Sequence, residues 1–301
     1  MILILEDSPA ALGLALADAC AQRGIESIWL SRQRIVQDVG IELHIGTQWC
    51  DSRLSIGTRD LPLSEVAGVY CGFDSFPPML WPDFSPDDAD YAAKETHAIW
   101  LALLASLPCR PVNPPSPDAL GGAAYSPVEL FLAAHKSSLS IPATAYLDLV
   151  DARSLLHTPI TATLCDLGSE NQQEQALENL THFAAMAPGY QLRLRERLPG
   201  PRHVLCVVGK LIFASTCPAI GGESEPLELK MIPSQVVTGV YALHAQLGLV
   251  LAEYHFVTLP SGDWILDDHS RMPGLSTWTM HSQALVSALL NNMLSQADDD
   301  A

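Results

Sequence analysis

Apolar runs of two kinds alternate along the chain. "MILILE" is a short unbroken apolar run, the pattern of a strand buried on both faces. "DSPAALGLALADACAQRG" changes to a helical period, with Asp7 or Ser8 as N-cap, Pro9 at the first helical position and Gly24 as the stop. "IESIWL" is a second short strand, so the chain opens on a βαβ unit, which predicts a parallel sheet with a right-handed crossover. "VAGVYCGF", residues 66–73, is another buried strand. The loop "DSFPPMLWPDFSP" then leads into one long helix, "DDADYAAKETHAIWLALLASLP", whose acidic first turn suits the helix dipole. The aromatic and proline stretch of that loop is either a lid over a peptide or a segment packed on its own domain.

The stretch "CRPVNPPSPDALGGAAYSP" is rich in Pro, Gly and Ala and marks a boundary. Beyond it, "VELFLAAHKSSLS" predicts a helix, "IPATAYL" and "TPITATLCDL" strands, and "SENQQEQALENLTHFAAMA" a helix. "YQLRLRERL" and "RHVLCVVGKLIFAST" read as antiparallel strands and "PSQVVTGVYALHAQLG" as a helix. A hairpin, "LGLVLAEYHFVTLPSGDWILDDHSRMPG", follows, and the helix "TMHSQALVSALLNNMLSQ" closes the series. The pattern predicts an α/β chain in which a parallel α/β N-terminal domain precedes two α+β subdomains enclosing a cleft. The expected divisions are 1–112, 113–190 and 191–301.

Composition narrows the functions. The 301 residues are 48% hydrophobic and 17% charged, a globular balance. The formal net charge of −18 argues against nucleic acid and against an anionic membrane surface, because no basic stripe is present to displace counterions. Seven scattered cysteines with no Cys-x-x-Cys suggest reduced thiols and a cytoplasmic protein. "MILILEDSPA" lacks the basic start of a signal peptide, and no apolar run reaches the ~18 residues of a membrane span.

Candidate chemistry gathers in the hairpin. With Pro260, Ser261 and Gly262 at the centre of the turn, paired residue numbers sum to 522. His255 then faces Asp267, and Glu253 faces His269. Alternation puts these four on one face and Asp268 on the other. Two histidines with one or two carboxylates suit zinc, iron or manganese better than magnesium. The other reading is a hydrogen-bonded His255–Asp267 pair without an ion, and a one-residue slip would break the set.

The order of elements, with the words inside it, resembles the ATP-grasp superfamily, in its branch of glutathione synthetases and amino-acid or peptide ligases. The words are Glu95 followed by "PVNPP" with Asn113 and Pro114, "YSPVELFLAAHKSSLSIPATAYL" with Pro142 and Thr144, "RERLPGPRHVLCVVGKLIFAS" with Glu196, and the hairpin itself. The resemblance implies ATP between two subdomains, magnesium on carboxylates, and an acyl-phosphate attacked by an amine. Carried over by position, the helix-start phosphate lysine falls on Ser126 and the second one near Thr163, with no lysine between 137 and 209. Lys136 is the nearest substitute, at the far end of the same helix. The arginine that steadies the acyl-phosphate falls on His203, beside Arg202. The metal positions fall on His255, Asp267 and His269. Glu196, Ser126 and Arg195 are the nucleotide-side candidates, Arg202 and His203 the catalytic ones, and His255, Asp267, His269 and Glu253 the metal ligands.

These exchanges are not neutral. A triphosphate brings about four negative charges, and leaving them without Lys, Arg or a hard cation costs several kcal/mol each. Histidine is a poor magnesium ligand. Two functions stay open. One is a degenerate ATP-grasp-like protein that binds a peptide or small metabolite in the cleft, with a transition metal in place of magnesium-ATP or with none. The other is an active ATP-dependent carboxylate–amine ligase with relocated phosphate contacts. A dinucleotide oxidoreductase is a poor third, because "EDSPAALGLA" is no G-x-G-x-x-G. Either main reading leaves room for a homodimer.

Overall fold

The computed structural model describes residues 1–7, 12–43, 52–142, 144–148, 160–165, 173–176, 191–196, 198–217, 224–272 and 274–299. The chain opens as its pattern predicts. Strands β1 (Ile2–Leu5), β2 (Ser27–Leu30) and β6 (Gly68–Cys71) form a parallel sheet in the order β2-β1-β6. Helix α1 (Leu12–Gln22) makes the crossover and ends before Gly24, whose φ of 67° needs a residue without Cβ. The expected cap residue Ser8 and Pro9 lie outside the described residues. Between β2 and β6 the chain inserts α2 (Arg32–Asp38) and a small antiparallel sheet, β3 (Val39–Glu42), β4 (Arg53–Ile56) and β5 (Arg59–Pro62).

Helix α3 (Pro86–Ser106) is the long helix foreseen, capped by Ser85, whose side chain accepts the Asp88 N–H. The proline-rich loop before it packs on its own domain: Phe76 is buried, and Leu80 and Trp81 lie against the N-terminal core. Helix α4 (Pro127–Lys136) follows the Pro-Gly-Ala stretch.

A second sheet, of order β7-β10-β8-β9, holds β7 (Thr144–Asp148), β8 (Ile160–Cys165), β9 (Gln173–Ala176) and β10 (Gln191–Glu196), all antiparallel. Two expectations change here. Residues 173–176, expected in a helix, form a strand: their backbone finds ladder partners on β8, and this pairing overrides local helix propensity. The expected division at 190/191 would cut this sheet, since β10 pairs on both sides with β7 and β8.

The third sheet, of order β12-β11-β13-β14, contains β11 (Arg202–Val208), β12 (Leu211–Cys217), β13 (Leu251–Thr258) and β14 (Trp264–Ser270). Helix α5 (Ser234–Leu247) precedes the hairpin, and α6 (Leu275–Asp299) follows it. Alternation divides the sheet between two cores. Leu205, Val207, Ala252, Tyr254, Phe256 and Leu266 pack with α4 and α5. Cys206, Val208 and Leu251 turn the other way and join Ile2, Ile4, α1 and α6 in one cluster. Thus α4, expected with the middle subdomain, is packed on the last sheet, and α6 ties that sheet to the N-terminal one.

One side chain fastens the parts. Asn113 is buried; its Oδ1 accepts the N–H groups of Val250 and Leu251 at 2.9 and 3.0 Å, and its Nδ2 donates to the Leu251 carbonyl at 2.9 Å. A backbone edge 138 positions away is thereby satisfied by one amide. Among the described residues no helix is long and apolar enough to cross a membrane.

Candidate functional site

Strands β11, β13 and β14 build the site. Cross-strand pairing puts Arg202 opposite Val257, Val204 opposite His255 and Cys206 opposite Glu253, so Arg202, His255 and Glu253 share a face. The hairpin keeps the expected register near its turn, where Thr258 pairs with Trp264 and Phe256 with Leu266. A β-bulge then intervenes between His255 and Phe256. Beyond it His255 opposes Asp268, Tyr254 opposes His269 and Glu253 opposes Ser270. Asp267 is the extra residue of the bulge.

The bulge corrects the expected ligand set. Asp267 stays on the Arg202 face, where its Oδ2 lies 3.2 Å from Arg202 Nη1. His269 moves to the face of Tyr254, with its ring 6.3 Å from that of Tyr125. Burial lowers the pKa of His269, and Asp268 partly offsets this. The four proposed ligands therefore do not converge. Among the described residues no group of three or more His, Cys, Asp or Glu side chains is arranged to hold a metal ion.

The carboxylates on the shared face instead have side-chain neighbours from the protein itself. Buried Asp267 has the half-exposed Arg202 guanidinium. Glu253 is 1% exposed and its Oε2 lies 3.6 Å from His255 Nε2. Across the strand, burial pushes the Cys206 thiol well up, and the negative charge of Glu253 adds to that.

The remaining candidates fall elsewhere. His203 is not beside Arg202 in function: alternation turns it to the opposite face, where it stacks on Trp264 with ring centroids 4.5 Å apart. Burial lowers its pKa. Ser126 is spent as a helix cap. Its Oγ accepts the Glu129 N–H, and the Glu129 carboxylate accepts the Ser126 N–H at 2.8 Å, a complete capping box. Lys136 ends the same helix, exposed. Arg195 and Glu196 lie on β10, opposite Thr161 and Ile160; their side chains are outside the described residues.

A neighbouring cavity of about 350 Å³ was not foreseen. It lies between the loop after β6, the segment before α4 and the end of β14, and Asp74, Tyr125, Asp268, His269 and Arg271 line it. Buried Arg271 bridges this junction: Nη2 meets Asp74 Oδ2 at 2.9 Å and Nη1 donates to the Gly122 carbonyl. Gly122 has φ of 121°, and a Cβ there would meet Asn113 at 2.6 Å, so only glycine fits the turn. Arg271, Asp74 and Tyr125 carry no local signal for this junction, because 197 positions separate Asp74 from Arg271.

Among the described residues, Arg202 stands at one carboxylate, the His255 ring at the other, and the position expected for a phosphate lysine is a helix cap.

No protein-family model matches the chain, and no curated protein does. Solved structures do match. The macrocyclase MdnC bound with precursor peptide MdnA, from Microcystis aeruginosa MRC, is 16% identical over 97% of this chain and 99% of its own, at a TM-score of 0.75. A Chryseobacterium gregarium RiPP-associated ATP-grasp ligase, in complex with ADP and a leader and core peptide, is 13% identical over 98% and 96%, also at 0.75. D-cycloserine synthetase DcsG is 14% identical over 97% and 100%, at 0.57. Similarity this extensive at such low identity concerns the backbone, and with the sheet order above it leads to one conclusion: the chain has the ATP-grasp fold.

Proposed function

We propose that this is a degenerate ATP-grasp protein that binds a peptide in its cleft without magnesium-nucleotide chemistry. The observation that carries the reading is the pairing of Asp267 with Arg202 and of Glu253 with His255. A divalent cation entering there would have to displace the Arg202 guanidinium beside Asp267 and make room against the His255 ring beside Glu253. Ser126 adds to this, because a short hydroxyl engaged in a capping box supplies no positive charge to a phosphate. The peptide is inferred from the neighbours, two of which were solved with peptides bound.

Millimolar magnesium-ATP is expected to raise the melting temperature by less than about a degree. A nucleotide at 100 times its dissociation constant would add ~2.7 kcal/mol, a shift of several degrees. A clear magnesium-dependent rise overturns the degenerate reading in favour of an active carboxylate–amine ligase with relocated phosphate contacts.

A further inference from the structure

The N-terminal domain carries an open apolar groove on a surface apart from β11, β13 and β14. Its volume is about 380 Å³, and Val36, Val39, Ile41, Trp81, Ile99 and Trp100 form its walls. The turn Pro78–Leu80 packs between α2 and α3 and continues the surface, with Met79 80% exposed; Ile99 in the groove is 43% exposed. Apolar area of this kind, gathered around a concavity, marks an interaction surface rather than scattered surface residues.

The charge around it is one-sided. On α3, Asp88, Ala92, Glu95 and Ile99 follow the three- and four-residue steps of one helical stripe, so exposed Glu95 stands one turn from Ile99 at the groove and Asp88 lies further along the same stripe towards the start of the helix. Asp83 sits two residues beyond Trp81, and Asp87 lies in the first turn of α3. The cations of these segments are already engaged: Arg32 with Asp7 at 2.5 Å, Arg34 with Asp38 at 3.9 Å, and Lys94 with Asp90 at 2.6 Å. An apolar floor with an acidic rim, on a chain of net charge −18, complements a segment with the opposite layout.

We infer that this groove docks a basic amphipathic helical segment of a partner protein, apolar side chains on Trp81 and Ile99 over the buried Trp100 floor and lysines or arginines on the rim. Helix-in-groove recognition supplies affinity from the apolar anchors, and the rim charges speed encounter and reject acidic partners.

The test uses the full chain and a fluorescent peptide of about 18 residues, long enough for a helix, with leucines on one face and lysines flanking them. A scrambled peptide of the same composition is the control. The designed peptide binds, the scrambled one binds at least about tenfold more weakly, and added salt weakens binding without abolishing it. Ile99→Asp raises the dissociation constant about tenfold or more, and the rim variant Asp83→Lys/Glu95→Lys raises it by a similar factor. Met231→Asp, also exposed but outside the groove, leaves it unchanged. Equal binding of the two peptides reduces the surface to bare charge attraction and overturns the proposal, as does undiminished binding to Ile99→Asp. Sedimentation of the wild type as a dimer that Ile99→Asp dissociates also overturns it, by assigning the groove to a second copy of the chain.

Discussion

Single residues at the site act mainly through charge. One expectation follows from the bulge: purified protein carries no stoichiometric zinc, iron or manganese by elemental analysis, because the bulge separates His269 from Asp267. His255→Ala removes the ring whose Nε2 lies 3.6 Å from Glu253 Oε2, and a cost of order 1 kcal/mol is expected by chemical denaturation. An unchanged denaturation midpoint would show that His255 contributes nothing to holding Glu253. Glu6 offers a sharper test. It is 5% exposed at the end of β1; its Oε2 accepts the Gly13 N–H at 2.5 Å, and Tyr70 lies 3.5 Å from Oε1. Desolvation raises its pKa to about 7, against the Gly13 and Tyr70 hydrogen bonds, which lower it. A carboxyl whose folded pKa exceeds its unfolded value binds more protons in the fold, so its contribution falls as pH rises from about 4.5 to 7. His244 works in the opposite sense: burial lowers it to about 4, so its contribution grows as pH rises from about 4 to 6.5. The two slopes oppose each other in the wild type, which makes the difference from Glu6→Gln the diagnostic quantity. The variant, still able to accept from Gly13, should gain on the wild type above pH 7, by an amount of order 1–3 kcal/mol, and the gain should vanish near pH 4.5. A pH-independent difference would place the proton elsewhere.

At the scale of elements, the question is which local signals are spent on structure. Ser126 is the clearest case. Its position matches a phosphate-binding lysine in the resemblance, yet the residue forms the N-terminal box of α4 with Glu129. Ser126→Ala should cost about 1 kcal/mol of stability, and Ser126→Asp, which caps equally well, should cost little. If both lose the same stability, the hydroxyl is serving something other than the cap. The sequence "S-P-V-E" contained this answer, since a serine followed three residues later by glutamate is a capping signature. The β-bulge is the contrary case. Six of the residues flanking it, Phe256 to Thr258 and Trp264 to Leu266, pair in the register that the turn dictates. Nothing within "WILDDHS" marks Asp267 as the extra residue, because either aspartate satisfies the local pattern. What selects it is Arg202 on a strand 65 positions earlier together with Leu266 in the core between the sheet and the helices α4 and α5.

Over the whole molecule, stability at the domain junction rests on a few buried polar groups that join distant segments. Asn113→Ala removes an acceptor from two N–H groups and a donor from a carbonyl, all buried or half-buried. A loss of about 2–4 kcal/mol is expected in urea unfolding, and Asn113→Asp, which keeps the acceptor but buries a charge, should not rescue it. A loss below about 0.5 kcal/mol would mean that water replaces the amide without penalty. Outside residues 32–62 and 173–176, the sequence by itself determined the main helices and strands and their order, because hydrophobic period, caps and glycine stops act over a few residues. It determined the parallel opening, since the right-handed crossover leaves little choice once β1, α1 and β2 are placed. The four motifs in order sufficed for the ATP-grasp fold, because packing constrains the backbone more than the site. Only the tertiary structure decided that residues 173–176 are a strand, that β10 lies between β7 and β8, and that α4 belongs to the last sheet. It alone decided which carboxylate meets which cation. Register in a sheet has a period of two, so one bulged residue redistributes every polar side chain beyond it, and the choice of that residue is made by contacts on other strands, far away in the chain.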